Sequence, residues 1–136
     1  MVEQNDAKEI LIADQSVNQL DVLLSGLKPN VQVRVVTAND DATSVVANAL
    51  SVKNLDTLHV LGHGAPGEII LGGQKIDATT LPALKQKLTQ SPDHTDLQIC
   101  LWSCRTGANV VGETFMNLLA HTANATVFAT EYPVGH

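Results

Sequence analysis

Aromatic side chains make up only 3% of the 136 residues, so a hydrophobic core has to be assembled from Val, Leu, Ile and Ala. Basic side chains are also few. Eight Lys and Arg stand against fourteen Asp and Glu, for a formal charge of −6, and no Lys/Arg cluster appears. A nucleic-acid partner needs a basic face, so that class is excluded. No apolar run approaches the roughly 20 residues that cross a bilayer, and no membrane insertion is expected. Residues 1–8 are polar and acidic, which is not the pattern of a secretory signal, and they leave the location of the protein open. Only two cysteines occur, Cys100 and Cys104, too few for a disulfide framework and too close along a strand end to bridge easily. Reduced thiols are the expectation, so the fold has to be stable without cross-links.

What is present suits one globular domain spanning 1–136, with an ordered core over about residues 9–130. Apolar residues reach 44% and charged ones 16%. Short β-rich runs alternate with helical ones. Residues 9–13 read as strand one, with Ile10-Leu11-Ile12 buried on both faces. Residues 17–27 show helical spacing at Leu20, Leu23, Leu24 and Leu27, stopped by Lys28-Pro29-Asn30. Residues 31–36 form a β-branched strand two. Asn39-Asp40-Asp41 caps a helix running to about Ser51. Strand three covers 56–61.

The alternation then breaks. Gly72-Gly73 lies between two short β runs within residues 67–76, which is a hairpin signal. Thr79-Thr80 opens a helix with Pro82 in its first turn, and Ser91-Pro92-Asp93 ends it. Strand four covers 96–102, a helix 110–121, and strand five 125–129. Alternating β and α elements imply a three-layer α/β/α sandwich around a mainly parallel sheet, with the hairpin added after strand three. Ligands of such sheets bind beyond the carboxyl ends of the strands.

Two chemistry-bearing residues stand at that edge. Leu58-His59-Val60-Leu61 empties into Gly62-His63-Gly64, and Leu97 to Trp102 empties into Ser103-Cys104. Neighbouring parallel strands lie about 5 Å apart, so His63 and Cys104 would converge if these two strands are adjacent. A thiol beside an imidazole is the minimal apparatus for nucleophilic catalysis. Cysteine attacks a carbonyl as thiolate, and an adjacent imidazolium lowers its pKa by several units. His63 would assist that ionisation and later protonate the leaving amine. Glycines flank it and leave room for substrate. The Gly64 and Cys104 N–H groups are candidates for an oxyanion hole, and Trp102 and Ser103 are placed to line the cleft.

The remaining candidates read as structural. Cys100 is mid-strand and suits core packing. His59 and His63 sit about 13 Å apart in an extended strand and cannot chelate one ion together. His94 and His121 read as loop and helix-end residues. A zinc site from Cys100, Cys104 and a histidine matches no known spacing, so neither metal nor cofactor is expected. Gly62-x-Gly64-x-x-Gly67 fits a dinucleotide-binding expression, but a hairpin follows it where a helix N-terminus is required. Asp14 follows Ile10-Leu11-Ile12-Ala13 as in a phosphoacceptor receiver. Strand three, however, ends in Gly62-His63 where that chemistry needs an aspartate, so Asp14 reads as a turn or cap residue.

The sequence resembles the caspase-like (clan CD) cysteine peptidases. An apolar strand ends in His63-Gly64, and a second ends in a small residue and a cysteine, Ser103-Cys104. Within the clan it is similar to a bacterial caspase-like domain found near the N-termini of very large, repeat-rich surface or secreted proteins. The matching pieces are His63 to Glu68, the hairpin 69–76, Trp102-Ser103-Cys104-Arg105-Thr106-Gly107, and the helix and strand over 112–129. The resemblance implies a caspase-like fold with flavodoxin-like winding, His63 as general acid/base, Cys104 as nucleophile and Gly64 as oxyanion donor. It implies a polypeptide substrate, the parent chain included, and three readings stay open: a minimal pocket, a module excised from a larger protein, or a domain that no longer cleaves. Clan members continue past strand five to build a specificity pocket, whereas this chain ends at His136. The expectation is a cysteine endopeptidase domain; the alternative is a silent caspase-like module for binding or assembly. Its oligomeric state is left open.

Overall fold

The computed structural model describes residues 8–17, 20–26, 30–88, 96–103 and 105–129. Cys104, His94, the helix stops at 28–29 and 91–93, and the segment 131–136 lie outside the described residues.

Five parallel strands form the central sheet in the order β2-β1-β3-β7-β8. They are β1 (Glu9–Asp14), β2 (Val31–Val36), β3 (Thr57–Leu61), β7 (Gln98–Trp102) and β8 (Thr126–Ala129). Three helices, α2 (Ala42–Leu50), α3 (Leu81–Lys87) and α4 (Asn109–Ala123), cover one face. There Ile10, Ile12, Leu58, Val60, Ile99 and Leu101 meet Val46, Leu50, Leu84, Phe115 and Leu119 in one core. Each large side chain buried this way contributes roughly 1.5–3 kcal/mol of transfer free energy. Among the described residues, the other face carries one short helix, α1 (Leu20–Ser25), which sets Leu20 and Leu24 against Leu11, Ala13, Val17 and Leu61.

This unequal cover explains the burial pattern of the strands. β1 is buried along most of its length, as its continuous apolar run predicts, because it is flanked by strands on both sides and covered on both faces. β7 alternates, with Ile99 and Leu101 buried while Gln98 and Trp102 are exposed. Its second face lies beyond the reach of α1. Cys100 belongs to that face and is half-buried, so it is not the core residue the sequence suggests.

The hairpin becomes a three-stranded antiparallel sheet, β4-β5-β6. β5 (Glu68–Leu71) and β6 (Gln74–Asp77) are the two runs the sequence shows. β4 (His63–Ala65) adds itself to β5, with His63 opposite Ile70 and Gly64 opposite Ile69. The turn between β5 and β6 uses Gly72 (φ 58°) and Gly73 (φ 74°). Both lie in the left-handed region that a two-residue hairpin turn demands.

The chain leaves β1 for β2 on one side, then crosses β1 to reach β3 on the other. The winding therefore reverses between β1 and β3, and a crevice opens at their carboxyl ends. Asp14 ends β1, and Gly62-His63 follows β3.

Candidate functional site

His63 is exposed at this edge, and its backbone is held on two sides. One residue earlier, the Gly62 N–H donates to the Trp102 carbonyl (3.3 Å), extending the β3–β7 pairing past the last regular residue. A Cβ on Gly62 would stand 2.7 Å from the Ile70 carbonyl oxygen, so glycine is required for β3 to turn directly under β5. His63 itself opens β4 and is fixed by the β4–β5 ladder.

Its ring is held from β1. Ser16 Oγ lies 2.9 Å from His63 Nε2. The same hydroxyl donates to Asp14 Oδ1 (3.0 Å), which also accepts the Ser16 N–H (2.8 Å). Asp14 Oδ2 accepts the Gly72 N–H (3.2 Å) from the turn of the small sheet. A serine hydroxyl has one proton. With that proton directed to the carboxylate, Ser16 accepts from Nε2–H, and the lone pair of the neutral ring falls on Nδ1. The chain Asp14–Ser16–His63 thus selects a tautomer, with no partner for Nδ1 among the described residues. Asp14 is a turn-forming residue, as the sequence suggests, and it also anchors the hairpin. It is 2% exposed, and among the described residues no Lys or Arg pairs with it.

The second expected component, Cys104, lies outside the described residues, but its neighbours are well defined. β7 is the parallel neighbour of β3, with Leu61 in register with Trp102. The regular pairing therefore runs to within two residues of both His63 and Cys104. Ser103 and Thr106, on either side of Cys104, are both fully buried and hydrogen-bonded hydroxyl to hydroxyl. Thr106 Oγ1 donates to the Glu68 carbonyl (2.9 Å), and the Gly67 N–H donates to the Thr106 carbonyl (2.9 Å). The loop after β7 is therefore stitched to the turn before β5, a few residues from His63. Arg105 takes a left-handed backbone (φ 61°), which a non-glycine residue adopts only at some cost. Gly112 lets α4 close onto this loop, since a Cβ there would meet the Gly107 carbonyl carbon at 2.3 Å and the Thr106 carbonyl oxygen at 2.6 Å.

The cleft-lining expectations divide. Gly64 is partly buried within β4. Ser103 is fully buried and shapes the loop through Thr106. Trp102 is 45% exposed, and its Nε1–H donates to His59 Nδ1 (3.1 Å) with the two rings stacked. His59 Nε2 in turn faces Glu9 Oε1 at 3.1 Å. Glu9, His59 and Trp102 thus form a polar row across β1, β3 and β7 on the thinly covered face. Burial pushes the neighbouring Cys100 thiol pKa up, and the Glu9 charge adds to the effect. His121 sits in the last turn of α4, where a helix C-terminus favours it. Gly62-x-Gly64-x-x-Gly67 runs into β4 and β5 and presents no helix to a phosphate.

Sequence reasoning missed Ser16 and Thr106. The signal for Ser16 was an Asp-x-Ser directly at the end of a buried strand, where a carboxylate captures the backbone and hydroxyl two residues on. Thr106 carried no comparable signal, because its partners are a carbonyl and a hydroxyl brought in by the fold.

No curated protein matches the chain. A family model for the domain of unknown function DUF4347 matches residues 10–136, from the first apolar residue of β1 to the final residue. The chain belongs to that domain family.

Proposed function

We propose that this domain is a cysteine endopeptidase of the caspase-like type, acting on the longer polypeptide that carries it. The observation that supports this most is the fixed imidazole of His63. It stands exposed at the carboxyl edge of β3, with Ser16 at Nε2 and no partner at Nδ1 among the described residues. In sequence, Cys104 follows the last residue of the adjacent parallel strand by two positions.

In this reading His63 takes the Cys104 thiol proton, and the imidazolium holds the thiolate. Sulfur attacks the scissile carbonyl, and the carbonyl π electrons move onto oxygen. Backbone N–H groups of Gly64 and Cys104 receive that oxyanion, a contribution of about 3 kcal/mol per donor in comparable sites. Collapse breaks the C–N bond, and His63 returns its proton to the departing amine. Water, deprotonated by His63, then attacks the thioester and releases the acid and the free thiol. Asp14 and Ser16 do not touch substrate in this scheme. They keep the ring in the tautomer and direction that the proton transfers need.

The test is the natural-length parent chain expressed beside its Cys104→Ala form, both weighed intact. The proposal expects cleaved products from the wild-type chain and a single uncleaved mass from the variant. Identical uncleaved masses, with no cleavage of added peptides, would remove the peptidase reading.

A further inference from the structure

His59 lies between two partners whose roles are fixed by their chemistry. The Trp102 indole Nε1–H donates to His59 Nδ1 at 3.1 Å, and an indole nitrogen can only donate. The Nδ1 lone pair is therefore in use, and the proton of the neutral ring sits on Nε2. That Nε2–H faces Glu9 Oε1 at 3.1 Å, and a carboxylate can only accept. The three residues stand on three neighbouring parallel strands, β1, β3 and β7. The His59 and Glu9 side chains are only 23% and 25% exposed, so water competes weakly for these bonds.

A proton added to this ring has one place to go, Nδ1. It turns the acceptor of the indole N–H into a second donor, and the two N–H groups then oppose each other. The imidazolium meets the indole at its N–H edge, the positive edge of the ring quadrupole, so no cation–π attraction replaces the lost bond. On the other side, the Glu9 carboxylate gains a charge-assisted bond and holds the protonated ring in place. Trp102 is therefore the partner that leaves. Its side chain is at the surface, and it ends β7, so the indole can turn outward while the backbone stays paired. Leu61 remains opposite Trp102, and the Gly62 N–H still reaches the Trp102 carbonyl. Other titratable groups near His59 are few among the described residues. Cys100 is in register with His59 on β7, and burial, then the Glu9 charge, raise its thiol pKa, so it stays protonated at neutral and acidic pH. β8 carries none, and α1 offers Asp21, exposed in its first turn. Histidine is the side chain that ordinarily changes charge between pH 5 and 8. We propose that His59 and Trp102 form an acid-released latch, in which protonation of the one frees the indole of the other at the entrance to the loop after β7. The latch stands apart from the peptidase reading and does not need it.

Trp102 is the one tryptophan of the chain, so its emission reports the latch without a label. Acrylamide quenching is measured on the full chain from pH 8 to pH 5, with far-ultraviolet circular dichroism alongside, in the wild type and in His59→Asn. Asparagine keeps an oxygen acceptor near the position of Nδ1 and does not titrate. The wild-type quenching constant should roughly double along a one-proton curve, because an indole 45% exposed gains the rest of its surface. The circular dichroism should not change, and His59→Asn should keep the pH 8 value throughout. A flat wild-type profile, or the same rise in His59→Asn, would overturn the latch. So would a rise that accompanies loss of secondary structure, or dimming of the emission with no gain in quenching. Ring ¹⁵N shifts of His59 in the wild-type chain test the same point without a substitution. The Nε2–H tautomer is expected at pH 8, and the Nδ1–H tautomer there, or a ring still neutral at pH 5, would also overturn the proposal.

Discussion

Ser16 Oγ stands 2.9 Å from His63 Nε2, bridging 47 residues of chain and joining the carboxyl ends of β1 and β3. The contact ties the orientation of an exposed imidazole to a buried carboxylate, Asp14, through one hydroxyl. Replacing Ser16 with Ala removes that tie without disturbing the core. If His63 activates Cys104, the alkylation rate of Cys104 near pH 7 should fall about tenfold, the equivalent of one hydrogen bond of about 1.4 kcal/mol. Ser16→Thr should restore most of the loss, and the melting temperature should barely move in either variant. A rate unchanged in Ser16→Ala would show that the hydroxyl positions nothing.

The hydroxyl pair of Ser103 and Thr106 gives a stability prediction. Both side chains are fully buried, and Thr106 also reaches the Glu68 carbonyl. Thr106→Val keeps the volume but leaves Ser103 and that carbonyl short of a partner, at a cost of about 1–3 kcal/mol in urea unfolding. Ser103→Ala should cost less once Thr106 is already Val than it does alone, because the two share one interaction.

Gly112→Ala should destabilise although alanine is the better helix former by about 1 kcal/mol. The added methyl would meet backbone atoms of Gly107 and Thr106 that cannot rotate away. The loss expected is about 2 kcal/mol or more, with a slower-reacting Cys104, since α4 must lift from the loop that carries it. A stabilised protein would mean that this junction is loose.

Cys100 provides a pH prediction. Burial, and then the Glu9 charge, raise its folded-state pKa above the ordinary 9.0. A thiol whose folded pKa is raised contributes stability that is intact below the ordinary value. That contribution is lost as the pH rises through the raised one, because the unfolded chain ionises first. Stability should therefore decline above about pH 9 by a component absent in Cys100→Ala. Glu9→Gln should lower the Cys100 pKa and speed its alkylation at pH 8.5. Slower alkylation in that variant would contradict the assigned cause.

The architecture was readable where local pattern and tertiary structure agree. The β-branched run 31–36 is β2 over the same six residues, and the paired glycines at 72 and 73 supply the expected turn. β4 was not readable, because His63-Gly64-Ala65 has neither length nor β-propensity and becomes a strand only when β5 folds back onto it. The apolar run around Cys100 reads as core. Among the described residues no helix packs over the β7 and β8 side, and Cys100 stays half-buried, which follows from winding, not from composition. At the candidate site, the position of His63 followed from strand order alone. Its hydroxyl partner did not, since it lies on another strand and is brought in by the crossover. Ser103 looked like a cleft residue because it precedes Cys104; its burial depends on Thr106, three positions on, closing the loop.

The most direct measurement compares alkylation of Cys104 and Cys100, resolved by peptide mass, across pH 5 to 9 in the wild-type chain and in His63→Ala. The account predicts that Cys104 reacts at least about thirtyfold faster than Cys100 at pH 7, and that His63→Ala removes most of the difference while Cys100 is unaffected. Two thiols that react equally slowly in both proteins, with ordinary thiol pH profiles, would contradict it.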